Sequence, residues 1–352
     1  MGLTAWSRSQ TRSNPATSLR AKSVASARRD AMTRKTNDSV LVLCTYSANA
    51  MENHPVTVIG IFGPTASGKS RVASAVAERI PAELVSADAL QVYRGLPILT
   101  NQPSEPIRMV AMWPLDREAS AGDYAPLAHA AVDEVLEHGR TPIVVGGTGL
   151  YLRAALAELS LPPAPAPGAR ERWERVYDEE GPAAAHARLA DVDPAAAAAV
   201  HANDRRRVVR ALELAEVGAS LAPGEDKLWS AETRYPTLLV GLDVPKDVLE
   251  RRIDERTRAM FDAGVEEEVR AALARPISLT ARQALGLDEV ASLPREEAIA
   301  AIVVRTRRYA AYQRKWMRRI PGIVMVDADR PPGEIADDIV SLARTRERVP
   351  RR

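Results

Sequence analysis

The chain has 352 residues, 46% apolar and 27% charged, enough to bury a large core in one or two domains. Its net charge of +2 conceals a basic leader, because residues 1–53 hold eight basic and three acidic side chains and leave the remainder slightly acidic. No apolar run reaches membrane-spanning length, the single Cys44 excludes an intrachain disulfide and suits a reducing cytoplasm, and the five histidines show no metal-ligand spacing.

Residues 1–53 are rich in Arg and Ser, poor in acids, and sustain no period. That composition fits a transit peptide, a disordered extension, or text upstream of a start at Met51; a disordered leader is expected. Residues 54–160 then read as the first part of a parallel α/β core. Val56–Phe62 is a continuous apolar run, as a strand buried on both faces requires. An amphipathic helix follows from Arg71 to Ile80, a short strand at Glu83–Ser86, a third strand at Arg108–Trp113, and a helix from Asp123 to His138. Thr141–Val145 is another buried strand, ending in Gly146-Gly147. Strands alternating with helices imply right-handed crossovers and a doubly wound sheet.

Four prolines between Ser160 and Gly168 break that rhythm and read as a stiff connector. Residues 161–203 are then read as an Ala- and charge-rich helical insertion. The segment 204–345 is expected to complete the core: a strand at Pro236–Asp243, a helical stretch from Lys246 to Arg275, a late strand at Gly322–Asp327, and helices elsewhere.

Gly63-Pro64-Thr65-Ala66-Ser67-Gly68-Lys69-Ser70 satisfies the P-loop pattern between a strand and a helix. Its glycines let successive backbone N–H groups point at one anion, and the helix N-terminus adds its positive end. Lys69 supplies a mobile charge, and the Ser70 hydroxyl is placed to hold a Mg²⁺ bridging phosphate oxygens. The loop does not name its ligand, since a kinase or ATPase binding ATP and a transferase use it equally. Asp88 follows the second strand at its carboxyl end, where ligands sit in open α/β sheets. From the residues alone it is a general base, a metal ligand, or a helix N-cap. Gln91 offers an amide suited to an adenine edge.

Two segments are strongly basic. Arg206, Arg207 and Arg210 share one face of a predicted helix. From Arg305 to Arg319, seven of fifteen residues are basic, none is acidic, and Tyr309, Tyr312 and Trp316 interleave with them. This suits contact with a phosphate backbone; a solvated face with core aromatics or a membrane-surface helix is the alternative.

These pieces, in this order over residues 56–330, resemble the tRNA dimethylallyltransferases, also called tRNA isopentenyltransferases, of the IPP transferase family. The marks are GPTASGKS (63–70), SADALQVYRGL (86–96), GGTGLY (146–151), HANDRRRVVRALEL (201–214) and RTRRYAAYQRKWMRR (305–319). The resemblance implies a P-loop NTPase-like core with a helical insertion, acting as a cytoplasmic monomer. It implies transfer of a dimethylallyl group from dimethylallyl diphosphate to N6 of the adenosine 3′ of the anticodon in tRNAs reading U-initial codons. The P-loop then holds a diphosphate leaving group, Asp88 is the general base, and the Thr65 and Thr148 hydroxyls orient the reactants. The alternative for Thr148 is a helix N-cap after the Gly146-Gly147 turn. The family's tRNA contacts carry over to Asp88, Ala89, Leu90, Gln91, Thr148, Arg170, Arg206, Arg207, Val208, Val209 and Arg210. Arg252 and Arg256 share a helix face from which to reach the diphosphate. The chain departs from the family's usual text at Ala89, around Leu99–Gln102, at Met109–Trp113, Leu287, Ala311 and Tyr312. An adenylate isopentenyltransferase or a small-molecule P-loop kinase is the alternative reading.

Overall fold

A computed structural model describes residues 56–163, 165–222 and 227–347. The expected leader lies outside the described residues. The chain runs β1 (Val58–Phe62), α1 (Lys69–Ala77), β2 (Ala82–Ser86), α2 (Ala121–Glu137), β3 (Thr141–Gly146) and α3 (Gly149–Leu156). Then come α4 (Ala169–Glu180), α5 (Pro182–Val192), α6 (Pro194–Ala199), α7 (Arg205–Glu216), β4 (Thr237–Asp243), α8 (Lys246–Asp262) and α9 (Val265–Leu273). The last elements are α10 (Leu287–Ser292), α11 (Arg295–Met317), β5 (Val324–Asp327) and α12 (Pro332–Glu347).

All strands are parallel, in the order β2-β3-β1-β4-β5. Alternation along β1 shows why the sheet is covered on both faces. Ile59 and Ile61 enter one apolar cluster with Val72 of α1, Ile253 of α8, Ile302 of α11 and Ile339 of α12. Val58 and Phe62 enter a second, with Val132 of α2 and Leu152 of α3. Both faces being dry, the strand sequence is apolar throughout. No helix among the described residues is long and apolar enough to cross a membrane.

A third cluster lies in the insertion, where Tyr177, Leu189 and Ala196 pack with Val208, Val209 and Leu212 of α7. The boundary expected at residue 203 therefore cuts through a shared core, because the buried face of α7 completes the packing of α4–α6. Punctuation inside the unit follows the sequence. Pro182 and Pro194 open α5 and α6, and the Asp193 side chain accepts the Ala196 N–H at 3.0 Å.

Two further expectations change. Residues 108–113 form no strand, only isolated bridges from Arg108 to Val85 and from Trp113 to Tyr93. Met109 and Ala111 have φ of 69° and 52°, a left-handed conformation that an extended run excludes. The helical stretch 246–275 is two helices, split where Gly264 takes φ 90°.

Candidate active site

The carboxyl ends of β1, β3 and β2 carry three loops side by side: the P-loop, the Gly146–Thr148 turn and the Asp88 turn. In the P-loop, Ala66 at φ 63° and Gly68 at φ 85° are left-handed and alternate with residues that are not, a pattern suited to an anion-binding nest. The Ser67 N–H donates to the Pro64 carbonyl at 3.1 Å and closes the turn. Gly63 has no room for a Cβ, which would sit 2.5 Å from Ser67 Oγ.

Lys69 opens α1 and is half-buried. Burial brings its ammonium down to about 8, with the Asp88 carboxylate opposing that shift and the Arg256 guanidinium adding to it. Arg256, reaching in from α8, is likewise lowered by burial and steadied by Asp88. Two donors here are unspent: Ser67 Oγ and Arg256 Nε are buried with no hydrogen-bond partner. Buried orphan donors are costly unless a ligand accepts from them, so the arrangement is built for an anion. Arg252 turns away and pairs with Asp329 at 2.9 Å, so only one of the two helix-face arginines lies with the P-loop lysine.

Asp88 precedes a turn, not a helix, and its Oδ1 accepts the Leu90 N–H at 3.1 Å. The helix N-cap alternative is thereby removed. Thr148 does occupy the N-cap position of α3, but its hydroxyl makes no cap bond and accepts the Ala89 N–H at 3.2 Å. Tyr309 of α11 stands beside them, in reach of the Thr148 and Gln313 side chains. Burial and the nearby Asp88 carboxylate push its phenol up to about 12, so it stays a donor at neutral pH. The Gln91 amide is taken up internally, accepting from Ser86 Oγ at 3.0 Å and donating to the Asn101 carbonyl at 2.8 Å.

The glycines of GGTGLY mark close approaches. A Cβ at Gly146 would overlap the Ala87 carbonyl, and one at Gly149 would overlap the Trp316 ring. Sequence reasoning missed Gln313, which is 3% exposed. It accepts the Thr65 N–H and donates to the Gly147 carbonyl, each at 2.8 Å. Its one signal was a polar residue on the buried phase Thr306, Ala310, Gln313, Met317 of α11.

Of the groups expected at the RNA surface, Arg206 and Arg207 are exposed, whereas Val208 and Val209 are core residues. Arg170 and Arg210 grip the fully buried Glu213 carboxylate, each at 2.9 Å, and Arg210 also donates to the Pro163 carbonyl at 2.7 Å. On α11 and the residues after it, Arg305 pairs with Glu289 and Arg314 with Asp243. Arg307, Arg308, Lys315 and Arg318 stay exposed, while Ile299, Ile302, Ala310 and Met317 on the other side of α11 are buried in the core. Arg319 lies 3.9 Å over the Trp229 ring, which packs at 4.5 Å on Trp316.

Among the described residues no three His, Cys, Asp or Glu side chains converge on a metal position. Ser70, half-exposed in the first turn of α1, offers one hydroxyl. That donor set fits a Mg²⁺ that keeps several waters and takes its other ligands from phosphate.

Comparison with known proteins gives a consistent result. The family model described as IPP transferase matches residues 91–320. A tRNA dimethylallyltransferase of Anaeromyxobacter dehalogenans (strain 2CP-C) is 43% identical over 292 residues, 78% of this chain and 96% of that protein. One from Corynebacterium jeikeium is 39% identical over 286 residues, 78% of this chain and 92% of its own. Among solved structures, the tRNA isopentenylpyrophosphate transferase of Bacillus halodurans is 30% identical with a TM-score of 0.59, covering 82% of this chain and 97% of that one.

Proposed function

The chain belongs to the IPP transferase family, and we infer from that membership that it transfers a dimethylallyl group from dimethylallyl diphosphate to tRNA. The acceptor in this reading is N6 of the adenosine 3′ of the anticodon in tRNAs reading U-initial codons. The observation that carries it is the pairing of unspent donors, Ser67 Oγ and Arg256 Nε around Lys69, with a carboxylate facing them.

The chemistry follows from those groups. The bond between C1 of the allyl group and the diphosphate oxygen breaks, and diphosphate leaves with the electron pair. The acceptor nitrogen bonds to C1 and gives its proton to Asp88. An allylic carbon tolerates positive charge, so the main demand is to receive the charge that develops on the leaving oxygens. Preorganised donors meet that demand, each contributing about 10²–10³ in rate in comparable sites. P-loop N–H groups, Lys69, Arg256 and the Ser67 hydroxyl are those donors here. The Ser70 hydroxyl would hold a Mg²⁺, which would supply further neutralisation of the leaving group when bound. Thr148 and Tyr309 flank Asp88 and orient the acceptor. Exposed Arg206, Arg207, Arg307, Arg308, Lys315 and Arg318 favour a polynucleotide acceptor over a mononucleotide. The working form proposed is a cytoplasmic monomer.

The test is incubation with dimethylallyl diphosphate and unmodified tRNA, followed by mass analysis of the nucleosides. One dimethylallyl unit is expected on an adenosine; no gain would overturn the reading. Excess AMP should leave the rate unchanged and ATP should not be consumed, outcomes that an AMP-acceptor enzyme or a kinase would reverse.

A further inference from the structure

We propose that Gln313 is a positioning residue that sets the spacing between the diphosphate cradle and the base, acting through the tip of β3. The inference rests on the transfer reading above. The sheet order β2-β3-β1 places β3 between the strand that ends in the P-loop and the strand that ends at Asp88. The gap between donor and acceptor groups is therefore spanned by Gly146, Gly147 and Thr148. Each side of that tip is pinned. Toward β2, the Thr148 hydroxyl accepts the Ala89 N–H, and Gly146 packs against Ala87 so closely that no Cβ fits. Toward β1, the pin is Gln313, whose buried amide takes the Thr65 N–H on one side and gives its own N–H to the Gly147 carbonyl on the other. A Cβ on Gly147 would lie 2.5 Å from Gln313 Nε2 and 3.3 Å from Lys69 Nζ, so amide and ammonium meet at the same point of the tip. A side chain that joins two backbone loops by both halves of its amide fixes their separation, which neither a shorter amide nor an apolar isostere reproduces. Misplacing reacting groups by about 1 Å costs roughly 10² in rate.

The test is steady-state transfer, with active sites titrated so that kcat refers to folded enzyme. Gln313→Met should lower kcat by at least about tenfold while the KM for dimethylallyl diphosphate and for tRNA stays within about threefold. Gly147→Ala and Gln313→Asn should each lower kcat, and the double variant should recover part of the loss because the shorter amide makes room for the methyl. A merely structural role would reduce the folded fraction and leave kcat per active site unchanged, which would overturn the proposal. So would a double variant whose loss equals the product of the single losses; that cycle decides the matter should Gln313→Met not fold. No transfer by the unaltered chain would bring down the transfer reading itself, and this inference with it.

Discussion

The Asp88 carboxylate faces the Lys69 ammonium without bonding to it: its charge strengthens the lysine's hold on a proton, yet no ion pair between them closes the space. Opposite charges left unpaired are what a reaction needs when one side must receive a leaving anion and the other a proton. A closed ion pair would satisfy both groups and leave nothing for the substrates.

The first prediction concerns the base. Asp88→Asn keeps the size and the Leu90 contact but cannot take a proton, so transfer should fall by about 10²–10⁴. tRNA affinity should remain within about threefold, since the lost interaction belongs to the chemical step. Single-turnover transfer beside filter binding checks both; equal losses in rate and affinity would count against Asp88 as base.

The titration of Lys69 yields a second. Its charge is present below about 8 and lost above it, so affinity for inorganic pyrophosphate should hold at neutral pH and decline on the alkaline side. Asp88→Asn removes the charge that raises this ammonium, so the decline should begin at lower pH. Arg256→Gln removes the cation that lowers it, so the decline should move to higher pH. Calorimetric titration of pyrophosphate at several pH values reads both signs. A shift of the two curves in the same direction would exclude this electrostatic account.

Ser67→Ala should separate folding from ligand binding. The hydroxyl is buried and unpartnered in the free chain, so its removal should leave stability unchanged or raise it by up to about 1–3 kcal/mol. Pyrophosphate affinity should fall by about 0.5–1.5 kcal/mol if the hydroxyl serves the anion. Thermal melts with and without pyrophosphate measure the two effects together. A variant less stable without ligand would show that the hydroxyl already has a partner.

Gly146→Ala should be destabilising by about 1–3 kcal/mol or more, because the methyl meets the Ala87 backbone, which cannot swing aside as a side chain would. Denaturant unfolding checks this, and a value near zero would mean that β2 and β3 can separate at their ends.

The insertion's arginines should divide into two kinds. Arg206→Ala should weaken tRNA binding and reduce the slope of log affinity against log salt by about 1, as loss of a phosphate contact does. Arg170→Ala should instead cost about 1.5–3 kcal/mol of stability, since it removes one of the two partners of the buried Glu213 and leaves Arg210 in place. Salt-dependent binding and unfolding of both variants would expose the opposite assignment.

The anion side of this site was readable in the residues because few solutions exist for wrapping backbone around phosphate. A buried strand, a nest of small residues and a helix with Lys at its head must follow one another in that order. Residues 108–113 misled because Met109 and Trp113 are apolar for a different reason: both are buried in the second cluster from a loop. The Ala111 and Trp113 N–H groups are satisfied by the carbonyls of Gln91 and Val92, not by a sheet partner. Val208 and Val209 lay inside an arginine-rich string whose charge drew attention away from their apolar phase. Gln313 was hidden for the converse reason, a lone amide in a basic run whose partners come from segments 248 and 166 residues away. Such long-range pairings are set by tertiary packing, and local periodicity carries no trace of them.

The carboxylate beneath α7 has an implication for how affinity at the insertion should be interpreted. Glu213 is satisfied only while Arg170 and Arg210 stay turned toward it. Any polyanion that recruits either guanidinium must first take from a sealed negative charge one of its two counterions. The binding strength observed there is thus a residual, smaller than the intrinsic attraction. Muting Glu213 with a neutral, shape-matched glutamine would release that withheld attraction and tighten the grip on RNA while loosening the fold around it.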